Sequence, residues 1–303
     1  MAFDKVIDSA TLDTGLTATA NAIREKTGGA DPIVWDSDSG FKTAVEGIQA
    51  GGGDDGSFKA VLEGIAVNPT LPADLMKIRD YAFYYLSSLA LTSLPDGVTS
   101  IGSYAFYYCA NLALTSLPDS LTKIGRNTFD SCTNLALTSL PSNLRSIGMY
   151  AFSYCENLAL TSLPYKMSQI SEGAFSGCTN LALTSLPFNI SDIRIGAFAN
   201  CINLALTSLP DGLQRIYSDA FAYCENLALT VIPPTVTTIG ERAFAYCTGL
   251  TELTIKGWPT ISWDAFEGCD NLLTINVPWG EWEVADAPWG AYNATINYNY
   301  TGG

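Results

Sequence analysis

The side chains of this 303-residue chain that could do chemistry are eight cysteines, six tryptophans, fifteen tyrosines and thirty carboxylates; histidine is absent. Its absence removes the commonest general base, the Ser/His and Cys/His nucleophile pairs and every zinc ligand set that contains an imidazole. The cysteines, Cys109, Cys132, Cys155, Cys178, Cys201, Cys224, Cys247 and Cys269, each stand three residues after a phenylalanine, and Leu86 holds that place in the first unit. A position that accepts leucine wants an apolar filler, so the thiols are expected to be buried and free. Equivalent residues of stacked units lie about 4.8 Å apart with parallel side chains, which does not suit the roughly 3.8 Å between β-carbons of a disulfide. No unit offers a second ligand beside its own cysteine, so no metal site is expected. Glu281 and Glu283 alternate with Trp279 and Trp282. A carboxylate beside an exposed indole is one way to build a sugar site, and the competing reading is that the aromatics seal the end of the fold. A spacing of two residues gives no sign of the opposed carboxylates that glycoside hydrolysis needs. The chain is therefore read as a non-enzyme with no catalytic residues and no cofactor.

What positions these residues is a repeat. Phe83, Phe106, Phe129, Phe152, Phe175, Phe198, Phe221, Phe244 and Phe266 follow one another at intervals of 23, the last being 22, and the string NLALTSLP recurs letter for letter at Asn111, Asn134, Asn157, Asn180 and Asn203. A fixed period in this range means stacked supersecondary units, none able to bury its apolar face alone. In the unit of Phe106 the apolar positions Phe106, Cys109, Leu112, Leu114, Leu117, Leu121 and Ile124 are spaced too irregularly for one helix or strand, but suit a coil of several turns around a shared axis. Pro118 and Gly125 punctuate the bends. The run LALTSL has strand propensity and is expected to give one strand per coil. The column of Asn111, Asn134, Asn157, Asn180, Asn203, Asn226 and Asn271 is expected to satisfy backbone groups at the tightest corner.

The pattern AFxxCxNLxxxxLPxxLxxIG, over residues 58 to about 278, resembles the BspA-like leucine-rich repeats, solenoids found in bacterial and protist surface proteins and in phage proteins. The resemblance implies a repeat solenoid with one short parallel strand per coil and a function in display rather than catalysis. One departure stands out: LALTSLP puts Thr115 and its equivalents where the family has an inward aliphatic, leaving either an inward threonine ladder or a locally shifted strand.

Outside the repeat, residues 1–50 read as a small helical N-terminal segment, with Leu12, Leu16, Ala20 and Ile23 on one face of a first helix and Phe41, Val45 and Ile48 on a second. Residues 51–57 read as a Gly-rich linker, 58–278 as a solenoid of nine coils with an N-terminal cap that begins FKAVLEGI, and 279–303 as a Trp-rich C-terminal cap. The stretch from LDTGLTATANAIREKTGG to AVEGI is similar to the leading segment of tail-associated proteins of phages of Gram-positive gut bacteria. That likeness implies an anchor of residues 1–50 on other virion proteins, with room for a homo-oligomer. No Sec signal peptide opens the chain, so the expected location is a virion assembled in the host cytoplasm; a bacterial surface adhesin of the BspA-like family is the alternative. The net charge of −15 argues against nucleic acid, and no stretch is apolar for long enough to insert in a membrane.

If the work is recognition of a host surface glycan or protein, it lies where coils differ. Tyr84, Tyr85, Tyr107 and Tyr108 follow the phenylalanine directly, and tyrosine presents a large rigid surface with a polar tip. In the turn after the proline most coils have Asp, Ser or Gly, whereas two adjacent coils have Tyr165 with Lys166 and Phe188 with Asn189, expected to meet as one apolar patch. Trp279 and Trp282 complete the candidate partner-binding residues.

Overall fold

The computed structural model describes residue 71 and residues 73–283 and 286–301; the calls for a helical segment at 1–50, a linker at 51–57 and the cap beginning at 58 lie outside the described residues. From there the chain winds as a solenoid. The nine phenylalanines form one row, each ring stacked on the next with centroids 5.0 to 5.7 Å apart and planes within 14°. Beside them run the cysteines, all eight buried and free. Each thiol donates to the carbonyl of the preceding coil's phenylalanine, as Cys178 Sγ does to Phe152 O at 3.0 Å, so the small apolar filler also satisfies a backbone acceptor. Burial pushes the thiols up, Cys269 to about 12.

The strands fall elsewhere than expected. β1 (Lys77–Ile78), β2 (Ser100–Ile101), β3 (Lys123–Ile124), β4 (Ser146–Ile147), β5 (Gln169–Ile170), β6 (Asp192–Ile193), β7 (Arg215–Ile216), β9 (Thr238–Ile239) and β11 (Thr260–Ile261) occupy the stretch that ends at the recurring isoleucine, not LALTSL. The reason is side-chain alternation. In LALTSL the buried Leu112 and Leu114 are followed by Thr115 and Ser116, both exposed, before Leu117 turns in again. Two successive outward residues break the period of two that a ladder requires, and a single rung survives, Ala113 N to Leu91 O at 3.0 Å. Thr115 therefore forms no inward ladder. A second ladder appears in that half of the last coils: β8 (Val231–Ile232), β10 (Glu252–Ile255), β12 (Thr274–Asn276) and β13 (Thr295–Asn297), all parallel, with alternation restored in β10, where Leu253 and Ile255 are buried.

β13 lies within the segment read as a cap. Its pairing with β12, the bond from Phe266 N to Trp289 O at 2.9 Å and the bond from Asn293 Nδ2 to Asp270 O at 3.1 Å continue the coil-to-coil pattern one turn further. The asparagine column is exposed, and its amides bond chiefly to one another, as Asn226 Nδ2 to Asn203 Oδ1 at 3.2 Å, whereas Asn271 reaches a backbone carbonyl, Thr248 O, at 2.8 Å.

The first ladder is split. β1 to β4 form one sheet, and β5, β6, β7, β9 and β11 another. At the split, Ser171 takes the place of Gly148, whose added β-carbon would stand 2.5 Å from the backbone of Gly125 one coil back. Gly148 N donates to Ile124 O at 3.0 Å, whereas at the split it is the Ser171 hydroxyl that donates to Ile147 O, at 2.6 Å. The Ser171 oxygen takes over the bond at the split, whereas Arg194 and Tyr217, which also carry side chains at this position, keep the backbone bond, to Ile170 O at 3.0 Å and Ile193 O at 2.9 Å.

Candidate functional site

Each coil turns sharply around its phenylalanine, and two residues of that turn, or one in the coil of Phe266, adopt left-handed backbone conformations. Two residues after the phenylalanine, all nine coils have positive φ: Tyr85, Tyr108, Ser131, Tyr154, Gly177, Asn200, Tyr223, Tyr246 and Gly268. Two residues before it the same holds for Tyr81, Tyr104, Asn127, Tyr150, Gly173, Gly196, Asp219 and Arg242. Glycine, asparagine and aspartate enter this region readily, while a bulky aromatic there is unusual and costs about 1 to 2 kcal/mol. The backbone bonds that hold the turns recur from coil to coil, as Tyr85 N to Tyr107 O and Gly177 N to Ala199 O, both 2.7 Å.

Tyrosine is accommodated in these columns in two ways. It stacks on a tyrosine of the next coil: Tyr81 on Tyr104 at 5.1 Å, Tyr85 on Tyr108 at 4.8 Å, Tyr223 on Tyr246 at 4.7 Å. Otherwise it lies on a glycine. A β-carbon at Gly173 would fall inside the Tyr150 ring, and one at Gly177 would stand 2.7 Å from Tyr154. Tyr150 also donates its hydroxyl to Glu172 Oε1 at 2.6 Å; that bond, with partial burial, raises its pKa to about 12.

In the first two coils the two columns merge through Tyr84 and Tyr107, which stack at 5.1 Å and meet their neighbours edge-on. Six tyrosines thus form one contacting group. Tyr81 and Tyr108 are 47% and 41% exposed, while Tyr107 is buried, so the group presents edges and hydroxyl tips rather than open faces. Sequence reasoning singled out Tyr84, Tyr85, Tyr107 and Tyr108 but missed why the columns matter: the interchange of Tyr with Gly, Asn and Asp in one position is the visible signal of a left-handed turn.

The other candidates are placed as follows. Tyr165 and Phe188 are exposed at 56% and 78%. No ring contact between them is found among the described residues; the Lys166 ammonium instead lies 5.7 Å from the Tyr165 ring and bonds Asn143 Oδ1 at 2.7 Å. Asn189 is partly buried, with its Oδ1 enclosed and unbonded. Trp279 is buried and donates Nε1–H to Gly257 O at 2.9 Å, so it is a structural ring and not an exposed indole. Trp282 lies in a 3-10 turn, Glu281–Glu283, and its side chain is outside the described residues. Among the described residues the exposed indoles are Trp258 and Trp263, at 64% and 61%, which the sequence reading passed over.

Among the described residues no group of three or more cysteine, aspartate or glutamate side chains is placed to hold a metal, and no helix is long and apolar enough to cross a membrane. Coils with one short parallel strand, a phenylalanine spine and a conserved-spacing leucine set define a leucine-rich-repeat solenoid. The model of the BspA type leucine rich repeat region matches residues 65–182 and 169–284, and the chain belongs to that family. A leucine-rich repeat protein of Bacteroides ovatus shares 26% identity with a TM-score of 0.53, over 74% of this chain and 64% of that one. The chain thus spans less than two thirds of that protein. A leucine rich cell surface protein of Faecalibacterium prausnitzii is 26% identical over 75% of this chain and 84% of its own, with a TM-score of 0.39. A T. pallidum leucine rich repeat protein is 29% identical over 46% and 75%, with a TM-score of 0.34. No curated protein matches the chain.

Proposed function

We propose that the protein is a non-enzymatic phage structural component, a tail or appendage part whose solenoid recognises the host cell surface. Residues 1–50 join it to other virion proteins, and the likeness of that segment to tail-associated proteins supports this part of the reading. The observation that carries the recognition part is the group of six contacting tyrosines, four of them held at φ near +60° in columns where other coils carry Gly, Asn and Asp as well as Tyr150, Tyr154, Tyr223 and Tyr246. Residues that cost backbone strain and still reach solvent suit contact with a partner, a glycan or protein of the host surface. Tyr165 and Phe188 extend the exposed surface further along the solenoid.

The test has two arms. Mass spectrometry of purified particles should find the chain; finding it only on the bacterial envelope, without particles, assigns it to the adhesin reading and removes the virion one. Full-length protein should bind host cells, and Tyr81→Asn with Tyr108→Asn should weaken that binding by more than about tenfold. Unchanged binding by this pair and by Tyr165→Ser with Phe188→Ser would remove the recognition surface.

A further inference from the structure

The last coils carry a cavity that plays no part in the tyrosine surface. It has a volume of about 350 Å3, and Trp258, Ile261, Trp279, Trp289, Glu283 and Asp286 are among its walls. The indoles of Trp258 and Trp279 lie 5.6 Å apart, tilted by 39°, and those of Trp279 and Trp289 lie 6.0 Å apart at 83°. Three rings so inclined enclose a corner instead of forming a flat stack. Trp279 and Trp289 are buried, which fixes two walls, while Trp258 is open to solvent. The bond from Trp279 Nε1 to Gly257 O locks that ring and leaves it no N–H for a ligand.

The charged groups at this corner have one sign. Glu283 Oε2 accepts from Gly280 N at 2.7 Å, and no lysine or arginine is among the residues that line the cavity. None of the ion pairs among the described residues uses Glu283 or Asp286. Two carboxylates therefore stand beside aromatic rings whose faces are themselves electron-rich. An anion is repelled here, and a neutral sugar donates hydroxyls to the carboxylates but leaves both of their charges uncompensated. A compact organic cation gains from both the rings and the carboxylates.

We propose that this corner binds an alkylammonium head group, either a quaternary ammonium or the ammonium end of a lysine side chain. The site stands apart from the tyrosine surface, and the inference does not rest on the virion reading.

Tryptophan fluorescence of the full-length protein, titrated at constant ionic strength, tests it. Choline should give a saturable change, and its uncharged isostere 3,3-dimethylbutan-1-ol should bind at least about tenfold more weakly. Trp258→Ala and Asp286→Asn should each weaken choline binding about fivefold or more, with the melting temperature unchanged. Asp286 has φ 59°, a conformation that asparagine shares, so the second variant keeps the fold if the first does not. N-acetyl-lysine amide separates the two sources: tighter binding than choline points to a lysine side chain, weaker to a quaternary ammonium. Equal binding of the isostere, unchanged binding by Asp286→Asn, or no saturation by either cation up to roughly 50 mM, far weaker than a specific site allows, would overturn the proposal.

Discussion

The first two coils and the fifth and sixth share one backbone and fill it with different residues. Around Phe83 and Phe106 the left-handed positions hold Tyr81, Tyr85, Tyr104 and Tyr108, with φ between 58° and 62°; around Phe175 and Phe198 they hold Gly173, Gly177, Gly196 and Asn200, with φ between 56° and 73°. The interior beneath both is the same, a phenylalanine, an alanine and a thiol or leucine at little or no exposure. The turn is thus imposed by stacking and not by the residue that occupies it. Glycine and asparagine fill it without strain, whereas tyrosine fills it at a cost that stacking between rings, roughly 0.5 to 1.5 kcal/mol per pair, only about offsets. The difference between the two regions lies at the surface, where residues vary without disturbing the shared interior.

Perturbing what the regions share should affect both alike. The thiol column runs through both, and burial holds these groups protonated. Unfolded thiols ionise near 9, and buried Cys269 only at about 12. A folded pKa raised above the unfolded one gives stability that is complete below pH 9 and is lost as pH rises toward 12. Tyr150, raised from 10 to about 12, acts in the same direction. Each thiol removes about 1.4 kcal/mol of stability per pH unit in that window, so with eight of them urea midpoints should collapse above pH 9 in one transition; a flat profile to pH 11 would mean that the thiols are not buried. Next in size, Phe106→Ala and Phe175→Ala should each cost about 3 to 5 kcal/mol by chemical denaturation, and by similar amounts, since both rings are fully buried between two others. A large inequality would break the claim of a common interior.

A smaller effect separates the regions. Gly173→Ala should cost about 1 to 3 kcal/mol, because its methyl would enter the space of the Tyr150 ring. Adding Tyr150→Gly should recover most of that loss. A double-mutant cycle with no coupling would show that tyrosine does not depend on a glycine in the next coil.

Most of the architecture was legible in the residues because stacking repeats it: the phenylalanine row and the free cysteines follow from one period, whereas the asparagine column was expected to bond backbone and bonds chiefly to itself. The strand was not legible. LALTSL has the composition of a strand, yet Thr115 and Ser116 both face solvent, and the ladder in this half begins only where Val231 and Ile232 stand in place of Ser and Leu. The tenth turn, with β13, escaped notice because Trp289 and Asn293 keep its contacts without the AFxxC lettering. Tyr84, Tyr85, Tyr107 and Tyr108 were picked from type alone; their left-handed turns showed only through Gly173, Gly177 and Asn200 in the same columns. Buried Trp279 fits the reading that aromatics seal the end of the fold and not the one that offers it to a partner; its contacts with Gly257 and Trp289 decide between them, which spacing does not reveal.

The account turns on the claim that the αL tyrosines serve the surface and not the fold. Thermal and urea unfolding of the full-length protein carrying Tyr81→Asn, Tyr85→Asn, Tyr104→Asn and Tyr108→Asn tests this most directly, since asparagine already occupies these columns at Asn127 and Asn200. Relief of strain should offset lost stacking and leave stability within about 2 kcal/mol of the parent. A loss above about 5 kcal/mol, comparable to deleting a core phenylalanine, would contradict it.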